Sequence, residues 1–355
     1  MSKYSFMMSS AEKLEESVLS SFKEKVINLA DDLEEKEISD LDPQYFNFVQ
    51  SDLQAAEKTG YSNYSYWGST LRMFFKNKMG ITTFTILTIL IAFALIQPFL
   101  PNQKSPTLIH NNPVTGIQFR NQPPLTRQGE FYFLFGTNAI GQDLWARIWS
   151  GTRTSLRIGF TVATVNVALG ILIGMLWGYV RKLDFLFTEL YNIINNIPNV
   201  LILIMVSFIM RPSVNTIIFA MCIYGWVGVS RLIRNLTIIL RDREFNLASR
   251  CLGTGVMKTI FRNLLPHMVS IVTLNFALSI PGAIGSEVFL SIIGLGLNVT
   301  IPSLGTLLST GRNIMMAPAL RYQLIFPVIV LSIISVSFYL MGNAFADSAD
   351  PRNHV

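Results

Sequence analysis

The sequence predicts an all-α integral membrane protein: six transmembrane helices, with a cytoplasmic helix–turn–helix between the fourth and the fifth. Three observations predict it. Half of the 355 residues are apolar and only 14% are charged, whereas soluble domains carry about a quarter charged residues. Long apolar runs recur along the chain. Between two of them stands a polar stretch, EFNLASRCLGTGVMKTIFRNLLP (244–266), with charges and two glycines.

Runs of about 17–25 apolar residues are long enough to cross a hydrocarbon core roughly 30 Å thick. Six are read at 81–99, 156–180, 185–210, 216–230, 267–293 and 324–342, with Pro198 and Pro281 interrupting the third and fifth. Packed membrane helices tolerate such prolines because neighbours re-satisfy the freed carbonyls. The first run follows some eighty mostly hydrophilic residues, too late for a cleaved leader, so it is expected to be an uncleaved span.

Charge orients the bundle. Arg72, Lys76 and Lys78 precede the first span, and Arg181 with Lys182 follow the second. Residues 231–266 hold seven Lys/Arg against Asp242 and Glu244. These segments share one side if both termini do, and the positive-inside rule makes that side the cytoplasm. Residues 1–71 carry six basic and thirteen acidic residues. They define an acidic cytoplasmic region over 1–70, with a helical rhythm at Leu14, Val18, Phe22, Val26 and Leu29. The six-span domain occupies 71–352, with an extracellular loop at 100–155. The basic residues border apolar runs, which fits membrane topology and not nucleic acid. Cys222 and Cys251 are read as reduced thiols.

Within the spans, Gly170, Gly174 and Gly178 lie four apart on one helix face, where a neighbouring backbone can approach closely. Before the second span, Leu144, Ile148 and Trp149 alternate with Asp143, Arg147 and Arg153. That spacing predicts an amphipathic helix at the membrane interface.

Catalytic chemistry is not encoded. There is no G-x-x-x-x-G-K-[ST] to cradle phosphates. His110, His267 and His354 stand apart from one another and from both cysteines, so no metal-ligand spacing exists. The deep carboxylates, Glu189 and Glu287, sit in different spans and form no dyad. Glu287 either lines a path or anchors the loop after it, because an unpaired charge at bilayer depth costs at least about 2.5–3.5 kcal/mol.

In the polar stretch, Asp242 is placed to cap a short helix, Phe245, Ala248 and Leu252 share a face, and Gly253 suits a reversal. A second helix is read from Val256 until Pro266. A short helix on a cytoplasmic loop is a lever on the fourth and fifth spans. This stretch resembles the coupling loop of ABC-importer permeases, with their E-A-A-x-x-x-G motif. It is most similar to the second permease type of the oligopeptide and dipeptide importers, over most of 66–352. Trp226, Ser230, Arg231 and LRDREF (240–245) lead into it as in that family, though Leu247-Ala248-Ser249 lacks the usual Glu and Asn263 stands where His is frequent. FGTNAIGQDLWARIWSGTRTSL (135–156), EVFLSIIGLGLNVTIPSLGTLLSTGR (287–312) and FADSADPR (345–352) resemble further family segments in the same order.

The resemblance implies a type I importer permease fold in the cell membrane and no catalysis by this chain. It implies a heterodimer with a homologous permease, two ABC ATPases that hold ATP and magnesium, and an extracellular substrate-binding lipoprotein that delivers peptide. Asp242, Glu244, Phe245, Leu247, Ala248, Ser249, Arg250, Leu252 and Gly253 would contact the ATPase. Trp177, Tyr191, Asn195, Asn196 and Glu287 are candidates for the substrate path. Alternatives are an ABC permease for nickel, haem, a sugar or another small solute, and an ion-coupled secondary transporter. The second would favour an internal repeat, with buried carboxylates or broken helices near the midplane, and neither a repeat nor a chain of carboxylates is seen.

Overall fold

A computed structural model describes residues 66–112, 115–129 and 131–349. The rhythm from Leu14 to Leu29, the closing Asp350-Pro351-Arg352 and His354 lie outside the described residues.

Helix α1 (Tyr66–Lys76) stops at Asn77, whose Oδ1 accepts from the N–H groups of Met79 and Gly80 at 3.0 and 3.2 Å. That cap starts α2 (Lys78–Ile96), the first apolar helix, and Pro98 closes it in a single 3₁₀ turn. The following loop is expected to be irregular up to 130, but it holds a small hairpin. Strand β1 (Thr126–Gln128) pairs antiparallel with β2 (Phe131–Phe133), and the rings of His110, Phe119, Phe131 and Phe133 pack together there.

Helix α3 (Leu144–Tyr179) corrects two expectations at once. Its 36 residues join the predicted interfacial helix and the second span without a break, a length of about 54 Å at 1.5 Å per residue. The leading segment does not lie along a membrane surface. Leu144, Ala146, Arg147 and Ile148 are all buried, and Arg147 donates from Nη2 to the Val299 carbonyl at 2.8 Å. The alternation of polar and apolar residues marks a helix packed on protein from more than one side, with Arg147 and Arg153 reaching the carbonyls of Val299 and Ala94.

The third span breaks. Helices α4 (Arg181–Asn195) and α5 (Asn199–Ile209) meet at 72° across Pro198. Proline removes the backbone donor, and the residue before it is driven out of helical geometry. The fourth span is far longer than its apolar core. Helix α6 (Val214–Arg241) carries on for eleven residues past Ser230, because its arginines find partners, described below.

The polar stretch forms α7 (Glu244–Cys251) and the short α8 (Val256–Lys258). Pro266 does not end a helix as expected. A π-helical stretch, Thr259–Leu264, feeds directly into α9 (Leu265–Ile292), so the wider turns admit a residue that cannot donate. Helix α10 (Leu304–Ile314) begins with a capping box between Ser303 and Thr306, and α11 (Tyr322–Ala349) ends the described chain. Among the described residues five helices are long and apolar enough to cross a membrane, and the bent α4–α5 pair, taken as one span, makes six.

The glycine ladder sets the central packing. A Cβ on Gly170 would stand 2.6 Å from Val229 Cβ, one on Gly174 2.5 Å from the Ser230 carbonyl oxygen, and one on Gly178 2.7 Å from the Arg234 carbonyl oxygen. Backbone therefore meets backbone along α3 and α6. A buried cluster including Leu87, Leu90, Ile148, Ile284, Leu304 and Phe338 ties α2, α3, α9, α10 and α11 together.

Candidate coupling surface and substrate path

The short helix α7 is built to be held on one side and offered on the other. Asp242 does not cap it. Asp242 is the last residue of the turn that ends α6, and Arg243 occupies the N-cap position. The Asp242 carboxylate instead accepts from Arg241 Nε at 3.3 Å, which holds its pKa below the ordinary range. Arg241 in turn donates from Nη1 to the Gly178 carbonyl at 2.8 Å, pinning the end of α6 to the end of α3.

Asn246 is fully buried and donates from Nδ2 to the Leu240 carbonyl at 2.8 Å, so α7 is clamped to the last turn of α6. Ser249 Oγ accepts from Asn263 Nδ2 at 3.1 Å, and the Phe245 and His267 rings lie 5.1 Å apart. These contacts bind α7 to the π-helical entry of α9. Sequence reading passed over Asn246 and the Ser249–Asn263 pair. Asn263 was visible as a departure from the family pattern, whereas Asn246 carried no such signal.

The reversal after α7 is a Schellman motif. Gly253 has φ +76°, its N–H donates to the Arg250 carbonyl at 2.9 Å, and the Thr254 N–H donates to the Ser249 carbonyl at 3.1 Å. Outward stand Glu244, Phe245, Leu247, Ala248, Arg250 and Leu252, all exposed, with Leu252 at 85%. An exposed apolar patch flanked by charge is the composition of a protein-docking site.

The path candidates do not converge. Trp177 is buried; its Nε1 donates to Thr188 Oγ1 at 3.2 Å, and the Arg234 guanidinium lies 4.9 Å from its ring. Tyr191 accepts from Arg231 Nη1 at 2.7 Å, and Arg234 pairs with Asp184 at 2.6 Å. Together these groups brace α4 against α3 and α6. Asn195 and Asn196 are exposed at the helix break. Glu287 is fully buried and lines no opening: Ser155, Ser291 and Ser303 donate their hydroxyls to it at 3.2, 3.1 and 2.7 Å, and Gly305 donates its N–H at 3.2 Å. Of its two readings, the structure gives the anchor, a carboxylate held at the N-terminus of α10 where the helix dipole favours it.

At the opposite end, Asp143 caps α3 by accepting from the Ala146 N–H at 2.9 Å and faces Lys104 at 3.8 Å. Burial pushes the Asp143 carboxyl up, against the Ala146 bond and the Lys104 charge. Burial likewise pushes Lys104 down, against its pairing with Asp143.

Comparison with known proteins decides the family. Residues 167–355 match the model of the binding-protein-dependent transport system inner membrane component, and 65–124 match the N-terminal TM domain of oligopeptide transport permease C. The chain belongs to this family of ABC-importer permeases. The oligopeptide transport system permease protein AmiD of Streptococcus pneumoniae is 33% identical to this permease, over 89% of this chain and all of that protein. The dipeptide transport system permease protein DppC of Bacillus subtilis is 29% identical, over 87% and 93%. The oligopeptide transport system permease protein OppC of Haemophilus influenzae is 30% identical, over 86% and 95%. Among solved structures, the MetNI methionine ABC transporter aligns with TM-score 0.46 and 19% identity, over 57% of the permease and 96% of that chain. The permease is thus a multi-pass membrane protein and a transport component that works with an ATPase and a binding protein.

Proposed function

We propose that this chain is one of two transmembrane subunits of an ATP-driven peptide importer in the plasma membrane, with both termini and α7 on the cytoplasmic side. The observation that carries the reading is α7 itself, clamped to α6 by Asn246 and to α9 by Asn263, with its apolar face free. A helix fixed to two spans transmits a push to both. The relatives named for peptide transport support the cargo, and the basic residues at the α7 end support the orientation.

In this reading a second, homologous permease completes the path, and an extracellular lipoprotein delivers peptide to it. Two ABC ATPases bind ATP and magnesium and receive α7 through Asp242 to Gly253. ATP closes the ATPase dimer, the two coupling helices approach, and the path changes the side it faces. Moving such an equilibrium from 1:99 to 99:1 takes about 5.5 kcal/mol, supplied by nucleotide contacts in the partners.

The test is uncoupling. Proline at 253 demands φ near −65° where the chain stands at +76°, so Gly253→Pro should misplace the reversal. Ala248→Arg puts a bulky charge on the docking face. In vesicles holding the assembled complex, both variants should hydrolyse ATP while peptide uptake falls at least tenfold. Unchanged uptake would remove the lever.

A further inference from the structure

At the far end of α9 from α7, four arginines gather around one hydrogen-bonded knot. Tyr322, the first residue of α11, donates its hydroxyl to the carbonyls of Gln122 and Thr137, both at 2.8 Å. Gln323 Nε2 donates to Asn121 Oδ1 at 2.9 Å, and Gln128 Nε2 to Gln122 Oε1 at 3.2 Å. The last turn of α10 closes on the same place, since a Cβ on Gly311 would stand 3.0 Å from the Gln323 carbonyl oxygen. Arg120, Arg127, Arg312 and Arg321 are each the chain neighbour of one of these residues, and all four are exposed.

Little in the chain compensates their charge. Among the described residues none of the four pairs with a carboxylate. Residues 115–142 and 294–323 hold one acid, Glu130, which lies outside the described residues. Arg120, Arg127 and Arg321 are anchored through Nε, to Gln118 Oε1 and to the Gly129 and Met315 carbonyls. An anchor at Nε steadies the guanidinium and leaves its Nη groups for an outside acceptor, and a carboxylate is the acceptor that fits that fork.

The surroundings have the composition of a protein interface. Met316 is 82% exposed and Leu125 65%. Tyr132 stands opposite Arg127 across the hairpin and borders an open pocket of about 600 Å³, whose walls also include Phe131, Trp145 and Lys104. Arginine, tyrosine and methionine are enriched where proteins meet, while lysine and the acids are depleted. A lipid headgroup would account for the arginines alone, whereas a protein accounts for the pocket and the exposed apolar side chains as well.

We propose that this surface docks an acidic face of the peptide-delivering binding protein, with Arg120, Arg127, Arg312 and Arg321 meeting its carboxylates. The assignment rests on the importer reading, which puts this end of the bundle outside the cell. Basic residues there run against the positive-inside tendency, and a partner that pairs with them gives a reason for their place. Charges at the rim of an interface act chiefly on the rate of encounter and on its salt dependence.

The experiment therefore reads association rates. The complete importer is held in nanodiscs of phosphatidylcholine, and its own binding protein is freed of the lipid anchor and loaded with tri-alanine. Rates are measured in about 50 and about 500 mM KCl, a change that shortens the screening length severalfold. In low salt Arg120→Gln with Arg321→Gln should associate about tenfold more slowly than wild type, and Arg120→Lys with Arg321→Lys within about threefold of it. In high salt wild type should slow to the rate of the glutamine pair. Should that pair fail to assemble, Arg127→Gln with Arg312→Gln repeats the test from other segments. Equal rates for wild type and the glutamine pair in low salt overturn the docking surface and leave the importer reading standing; if that pair also copurifies with less anionic lipid, the cluster belongs to headgroups. A gap that persists undiminished in high salt overturns the surface too, since a purely structural defect is not screened. No docking by wild type at either salt overturns the importer reading, and the surface with it.

Discussion

Of the three ladder glycines, Gly174 lies closest to the backbone of α6. In Gly174→Ala the new Cβ would stand 2.5 Å from the Ser230 carbonyl oxygen and 2.8 Å from Ile233 Cβ. Ordinary contact begins near 3.4 Å, so the helices must part by roughly 0.9 Å at that level, and the obstacle is backbone and a β-branched side chain that cannot swing aside. Overpacking of this kind costs about 1–3 kcal/mol. Alanine also gains about 1 kcal/mol of helix propensity over glycine, which blurs a comparison with wild type. Gly228→Ala removes the blur. It lies in α6 with nothing within 4 Å of an added Cβ, so it collects the propensity and not the clash. The difference between the two variants is then the overpacking alone. At roughly 2–4 °C per kcal/mol, Gly174→Ala should denature several degrees below Gly228→Ala. The assay is thermal denaturation of the detergent-solubilised permease, read by loss of the monodisperse species. Equal midpoints, or the reverse order, would refute the claim that this face of α3 is packed against the α6 backbone.

Two more perturbations address groups that look functional by residue type. Glu287→Ala would strand four buried donors, from Ser155, Ser291, Ser303 and Gly305, at about 1–3 kcal/mol for each that cannot turn elsewhere. Glu287→Gln keeps one oxygen and should lose less, so protease nicking between α9 and α10 should rank Ala above Gln above wild type. Nicking by Gln and Ala to the same extent would count against the anchor. Asp143 gives a pH signature. Its folded-state pKa is raised from 3.8 by burial, so its contribution to stability is full below 3.8 and falls as pH rises through the raised value. Across the range just above 3.8, protease resistance of the 100–143 loop should therefore decline with rising pH more steeply in wild type than in Asp143→Asn. Parallel profiles would show that the buried carboxyl is not the titrating group.

The fold was legible wherever a helix is apolar and obscure wherever a helix is polar for internal reasons. Hydropathy located all six apolar runs, but it closed the fourth at Ser230 because Arg231, Arg234 and Arg241 follow. In the folded chain those arginines are not helix-ending surface charges. They reach Tyr191, Asp184 and the Gly178 carbonyl, all from segments distant in sequence. The same blindness split α3 at 156, since a sequence window cannot know that Arg147 will be met by Val299. Pro198 was read as an interruption within a span and Pro266 as the end of a helix. One stands at a 72° break in a span, and the other sits in the first turn of α9, directly after a π-helical stretch. The difference lies in how each prolyl ring is accommodated, which only the neighbouring turns decide.

Trp177, Tyr191 and Glu287 were attractive because aromatic and charged side chains are costly in a span and therefore look purposeful. In the structure the two aromatics hold α4, and the carboxylate holds the start of α10. Asn166 Oδ1 is one of seven buried side-chain atoms without a partner among the described residues, on a residue that hydropathy treats as unremarkable and that the sequence places among Val162, Ala163 and Val167. Its environment becomes visible only when Gly225, fifty-nine positions away, is seen to have given up a side chain to make room for it.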